Sequence, residues 1–176
     1  ELYINIPISG SRLQNIFNAK IDNNLKWKKK IISSLSQSYS NHPFFKLIEE
    51  LLISEIESKN ILHLFELNIR IIQKISKKWG LDSEFKNEYA YYINGKKLER
   101  LQTICNHFSS KNYISHIGSR EYIETEKIFN ENNINVKYLD VVKDVQYPQM
   151  NSNKFIDNLS IIDVIANTGL SGTLEY

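Results

Sequence analysis

Apolar and polar residues nearly alternate from Leu2 to Ile8, the two-residue period of a half-buried strand, and Pro7 confines its end to an edge or exit. Ser9, Gly10 and Ser11 make a turn, and the weaker alternation from Leu13 to Ile21 predicts a strand that pairs back as a hairpin. Asn23 and Asn24 suit the cap of the next helix. From about Leu25 to Tyr39 the apolar residues Trp27, Ile31, Leu35 and Tyr39 recur every four positions, with Lys28, Lys29 and Lys30 partly on the other face, an amphipathic helix. Pro43 opens a second helix whose stripe is Phe44, Leu47, Ile48, Leu51 and Leu52 and which ends near Ser58. Asn60 caps a third running to Trp79, with Ile61, Leu64, Phe65, Ile69, Ile72 and Ile75 facing one way and Gly80 as a left-handed stop.

Leu81 to Ile93 is weakly patterned and aromatic, a short strand or loop containing Tyr89, Tyr91 and Tyr92, and Asn94 and Gly95 make a turn. Lys96 to Ser109 reads as a helix with Leu98, Leu101, Ile104, Cys105 and Phe108 on one side. A strand from Tyr113 to Ile117, a Gly118–Ser119 turn, a helix from Glu121 to Asn132, a strand from Val136 to Val142 and a last helix from about Ser160 to Asn167 complete the series. This alternation predicts an α/β fold, a small and mostly parallel sheet flanked by helices, with a helical cluster in the first half. No proline, glycine or serine linker divides the chain and no repeat appears, so residues 1–176 read as a single domain. Chains of about 150 residues bury roughly 70% of their unfolded surface, which predicts one core.

Composition is that of an ordinary globular domain, 41% hydrophobic and 24% charged, which argues against disorder. A formal charge of +2 is too small for the footprint that nucleic-acid binding leaves across a domain. Cys105 is the one cysteine, which excludes an intramolecular disulfide and a thiol zinc cluster and points to a reduced compartment, the cytoplasm. No apolar run approaches the roughly 18 residues of a membrane span. The chain opens Glu1, Leu2, Tyr3 and at once enters an alternating segment, so a preceding segment is expected.

Familiar catalytic motifs are missing: no phosphate-cradling glycine loop, no Gly, x, Gly, x, x, Gly turn, and no two of His42, His63, His107 and His116 at the spacing that puts two metal ligands on one helical face. No metal is expected, and no residue pattern names a cofactor. Cys105 lies on the apolar stripe beside Leu101 and Phe108, a buried and inert position. The loop Gln146, Tyr147, Pro148, Gln149 comes after a strand, and ligands of open α/β sheets gather beyond the carboxyl ends of strands. Ser160 with Asp163 three residues later makes a box-like helix start, so capping alone accounts for both.

The segment Phe155 to Gly169, FIDNLSIIDVIANTG, resembles the C-terminal signature of the WbqC-like family, bacterial proteins tied to surface polysaccharide synthesis. Tyr147, Pro148 and Gln149 resemble a recurrent element of that family, as do Tyr113, Ser115, Gly118, Ser119 and Tyr122, and Trp27, Lys30, Tyr39, Pro43 and Phe45. The resemblance spans nearly the whole chain and implies a segment before Glu1. The family commonly shows Lys-His where this chain has Lys29 and Lys30, and glycine where it has His116.

The resemblance implies a transferase that acylates or aminoacylates, for example with glycine, a nucleotide-linked amino sugar in O-antigen synthesis. Such chemistry needs a base near the amine, donors for the developing oxyanion and a pocket that aligns both substrates. Asp163 and His42 are the catalytic candidates, and Ser119, Tyr122, Tyr147, Gln149, Ser160 and Asn167 the substrate-binding ones. Each also has a plain reading: capping for Ser119, Ser160 and Asp163, packing for Tyr122, Tyr147 and Gln149, and helix termination for Asn167. The alternative function is a non-catalytic assembly module presenting the helical cluster to a partner. A third is a single-strand nucleic-acid binder using Tyr89, Tyr91, Tyr92, Lys96 and Lys97, which the low net charge opposes.

Overall fold

The computed structural model describes residues 3–11, 13–59, 61–87, 91, 93–126, 128–140, 146–150 and 153–172. Leu2 of the expected first strand, the cap Asn60, Tyr89 and Tyr92, and the strand end at Val142 lie outside them. The chain divides into two compact units, one of residues 1–83 with 146–176 and one of residues 84–145. Where chain length predicts one core, the buried apolar residues form two clusters, one in each unit.

In the first unit the expected hairpin shrinks to β1 (Ile8–Ser9) paired antiparallel with β2 (Lys20–Ile21), and Ile16–Asn18 winds into a 3-10 turn. The β2 segment is bound on its far side too: the Ile21 amide donates to the Leu62 carbonyl at 2.8 Å and the Leu64 amide to the Ala19 carbonyl at 2.9 Å. Helix α1 (Trp27–Tyr39) buries Trp27, Ile31 and Leu35, as the four-residue recurrence predicts, and exposes Lys29 and Lys30, while Lys28 is half-buried and donates to the Ser58 carbonyl. The second helix begins later than Pro43 and is not uniform: α2 (Phe45–Ile48), a π-helical stretch Glu49–Ile53, then α3 (Ser54–Glu57). Successive residues of an α-helix point about 100° apart, so three neighbours rarely face one core. The wider π turn buries Leu51, Leu52 and Ile53 together.

Helix α4 (Leu64–Lys78) corrects the third stripe. Leu67 is fully buried and Leu64, Ile71 and Ile75 pack beside it, whereas Ile69 and Ile72 are exposed. Leu64, Ile71 and Ile75 stand at −3, +4 and +8 from Leu67 and share its face, while Ile69 at +2 falls nearly opposite. Ile61 is buried before the helix begins. The helix closes as expected at Gly80, φ 71°, whose amide donates to the Lys77 carbonyl at 3.0 Å while the Leu81 amide donates to that of Ser76 at 2.9 Å.

The second unit contains α5 (Lys97–His107), β3 (Asn112–His116), α6 (Arg120–Glu126), α7 (Ile128–Glu131) and β4 (Asn135–Leu139). The two strands pair in parallel from Asn112 opposite Asn135 to His116 opposite Leu139, joined by the helical crossover that parallel neighbours require. Leu98, Cys105, Ile123, Phe129 and Ile134 form its core, with the Tyr113 and Phe129 rings stacked 5.0 Å apart. Helices and strands thus mix as an α/β chain, but the mostly parallel sheet resolves into two two-stranded sheets, one antiparallel and one parallel. The last helix, α8 (Ile161–Gly172), kinked at Gly169, belongs to the first unit and not to that of the parallel pair. No described helix is long and apolar enough to cross a membrane.

Leu67 is wholly buried at the centre of the first cluster, so Leu67→Ala is expected to cost about 2 to 5 kcal/mol in urea unfolding. Ile69→Ala, on the exposed face of the same helix, is expected to cost under about 1 kcal/mol. Equal losses would contradict the assigned face.

Candidate functional site

Helix α8 separates its residues by face. Ile162, Ile165, Ala166 and Leu170 pack into the first core, and Asp163 and Asn167, one turn apart, carry its polar groups. Ser160 caps the helix, its hydroxyl accepting from the Ile162 amide at 3.4 Å. The Asp163 carboxylate turns away from that cap: its Oδ2 accepts from the Tyr147 hydroxyl at 2.7 Å and from Asn167 Nδ2 at 3.2 Å. Asp163 is 7% exposed.

The other side of this carboxylate is built from the end of α1. The chain leaves that helix through a tight turn, the His42 amide donating to the Tyr39 carbonyl at 2.9 Å, and the Phe44 amide reaches the Ala166 carbonyl of α8 at 3.2 Å. That bond holds the turn against the helix. Gly169, φ 71°, permits it, because a Cβ there would stand 2.8 Å from Phe44 Cε1. The Tyr39 phenol consequently interacts with Asp163, and the His42 ring packs edge-on to that of Tyr39 at 5.0 Å. His42 is 6% exposed and its Nδ1 is buried without a hydrogen-bond partner among the described residues.

Loop 146–150 closes the cluster. The Gln149 side chain pairs with the Ile156 backbone, donating at 2.9 Å and accepting at 2.8 Å, and also donates to the Tyr147 hydroxyl at 3.0 Å. Asn167 ties the loop to the helix: Nδ2 donates to the Asp163 carbonyl at 2.8 Å while Oδ1 accepts from the Met150 amide at 2.8 Å. Phe155 packs edge-on against Tyr147 at 5.2 Å. Both phenols keep their protons unusually firmly. Burial, then the Asp163 charge, raises Tyr39 well above the ordinary phenol value. Burial lifts Tyr147 to about 12, opposed by the Gln149 donor and reinforced by Asp163.

Six residues therefore meet: Tyr39, His42, Tyr147, Gln149, Asp163 and Asn167. Tyr39 is not among the candidates because it completes the apolar stripe of α1, which hides that its hydroxyl interacts with Asp163. Ser119 and Tyr122 belong to the second unit, Ser119 in the turn after β3 and Tyr122 on α6 and exposed. Arg120, expected to add charge for an anion, pairs with Glu124 at 2.8 Å and lies over the Tyr138 ring. Burial raises the Cys105 thiol, the opposite of what a nucleophile needs. Among the described residues no three His, Cys, Asp or Glu side chains assemble as metal ligands. A cavity of about 390 Å³ bordered by Lys20, Asp22 and Asn24, and another of about 350 Å³ bordered by Glu124, Asn130 and Tyr138, take none of the six residues into their walls.

Residues 1–174 match the family model described as the WbqC-like protein family. An uncharacterized protein of Mycobacterium tuberculosis, Rv1507c, is 27% identical over 169 residues, covering 95% of this chain and 72% of its own. No solved structure matches the chain.

Keeping Tyr147 protonated is a property of the folded state. Its stabilising effect is complete below the unfolded phenol value of about 10 and is lost as pH rises towards about 12, because the unfolded chain releases this proton first. Absorbance titration is expected to show late-ionising phenols, with Tyr147→Phe removing one of them. A variant curve that loses an early phenol instead would refute the buried hydrogen bond to Asp163.

Proposed function

The chain belongs to the WbqC-like protein family, and from that premise we propose that it is a transferase placing an acyl or aminoacyl group, such as glycyl, on the amine of a nucleotide-linked amino sugar. Family membership suggests a role in polysaccharide biosynthesis; the O-antigen setting, the transfer and the sugar are this reading's own additions. One observation carries it: a buried histidine nitrogen without a partner among the described residues, packed against the Tyr39 ring whose phenol interacts with a buried carboxylate. Buried polar groups are nearly always satisfied, and exceptions concentrate where a ligand or a proton transfer completes the set.

In this mechanism the sugar amine attacks the carbonyl carbon of an activated ester or thioester donor. The carbon–nitrogen bond forms, the bond to the leaving group breaks with its electron pair, and His42 Nδ1 accepts the amine proton. Positioned bases of this kind supply about 100- to 10,000-fold in rate. Asp163 orients the amine, Tyr147, Gln149 and Asn167 hold the loop over it, and Ser160 sets the helix start. Ser119 and Tyr122, in the second unit, are kept as substrate-binding candidates in their own right. The single-domain reading of residues 1–176, acting in the cytoplasm, belongs to the same proposal.

Incubating the protein with a nucleotide-linked amino sugar and activated glycine is expected to yield a mass-shifted sugar nucleotide. His42→Ala should lower kcat by about 100- to 10,000-fold while the fold persists. No product across acyl and glycyl donors would overturn the transferase. The exposed Ile69 and Ile72 on α4 favour the second reading, an assembly module docking on a glycan-synthesis partner.

A further inference from the structure

Asp163 is a carboxylate more than nine-tenths buried whose identified partners are all neutral: the Tyr147 hydroxyl, the Asn167 amide and the Tyr39 phenol. Among the described residues no lysine or arginine forms an ion pair with it. Buried charges are ordinarily paired, because withdrawing an ion from water costs several kcal/mol. A second group beside Tyr39 is also incomplete, since His42 Nδ1 is buried without a partner among the described residues. A carboxylate, phenol oxygens and an imidazole nitrogen in its unprotonated tautomer are all acceptors, and aromatic rings border them: Tyr39, Tyr147 and Phe155. An alkylammonium is the complement: three donors, no acceptor, one positive charge, and attraction to ring faces.

We propose that Asp163, together with the hydroxyls of Tyr39 and Tyr147 and the imidazole of His42, forms a recognition site for a primary ammonium group. The site stands on this geometry alone, and only the naming of the substrate that brings the ammonium rests on the transferase reading. Two sources share the chemistry, the amine of an amino sugar and the α-amine of an aminoacyl donor. If the sugar supplies it, the group that binds is the group that is acylated: the ammonium first releases one proton to solvent, and His42 takes the second as the carbon–nitrogen bond forms. If the donor supplies it, the site selects aminoacyl over simple acyl groups, which carry no charge at that position.

Calorimetric titration of the whole protein with glucosamine and glycinamide, each beside its N-acetylated counterpart, tests the proposal without requiring turnover. At least one free amine is expected to bind about ten times or more as tightly as its acetylated form, the factor that one charge-assisted contact contributes. Asp163→Asn, which keeps the shape and removes the charge, should abolish that preference. Tyr147→Phe, which keeps the ring, should weaken amine binding several-fold and serves if the asparagine variant fails to fold. Preference for glucosamine identifies the acceptor's amine, and preference for glycinamide the donor's. Equal binding of free and acetylated forms, no binding of either amine, or a folded Asp163→Asn variant that retains the preference would overturn the ammonium site. Amine binding without product formation would leave the site standing and remove only the transferase.

Discussion

Holding one carboxylate out of water imposes most of the order at the working end of the first unit. Water would offer Asp163 several strong donors, so the protein must supply donors of its own, each at hydrogen-bonding distance. Tyr147 can donate only if its loop lies over α8, and the loop lies there because Gln149 is stitched to the Ile156 backbone and Asn167 grips the Met150 amide. Asn167 in turn is placed by helical geometry, one turn beyond Asp163. The chain of dependence runs from one buried charge to a loop of otherwise unpatterned sequence.

The turn after α1 answers to the same constraint from the opposite side. Its backbone is fastened to α8 through Phe44 and Ala166, so Tyr39 reaches the carboxylate from a distant part of the chain, with His42 packed against its ring. The second helix bears on this indirectly. Its π turn gives up backbone regularity to bury Leu51, Leu52 and Ile53 in the core where Ile165 and Ala166 of α8 also lie. Polar precision at the site rests on that apolar seat.

Much of this is legible in the residues. Period-four recurrence locates α1, the glycine after Trp79 stops α4, and the sequence alone singles out Tyr147, Gln149, Asp163, Asn167 and His42. Relations between distant segments are not legible in that way. Apolar spacing points Ile69 and Ile72 inward, because spacing alone does not say which of two overlapping faces meets a neighbour. Alternating elements predict a mostly parallel sheet, yet the last helix joins the other unit, a matter of long-range contact. Tyr39 reads as core because its ring packs on the core; its terminal oxygen is what interacts with Asp163. The long strands expected at the start shorten because the segment around Lys20 is shared between β1 and the stretch before α4.

Phe44 and Gly169 show how the arrangement constrains change. The ring occupies the volume that any side chain at 169 would need, and the backbone there has φ 71°, which glycine tolerates best. The two positions therefore exchange size: a carbon gained at 169 is accommodated only by losing ring at 44 and by straining α8. Across relatives that keep the cluster, these positions should co-vary or stay fixed together, and a sequence aligner blind to the fold would register them as a coupled pair with no chemical role.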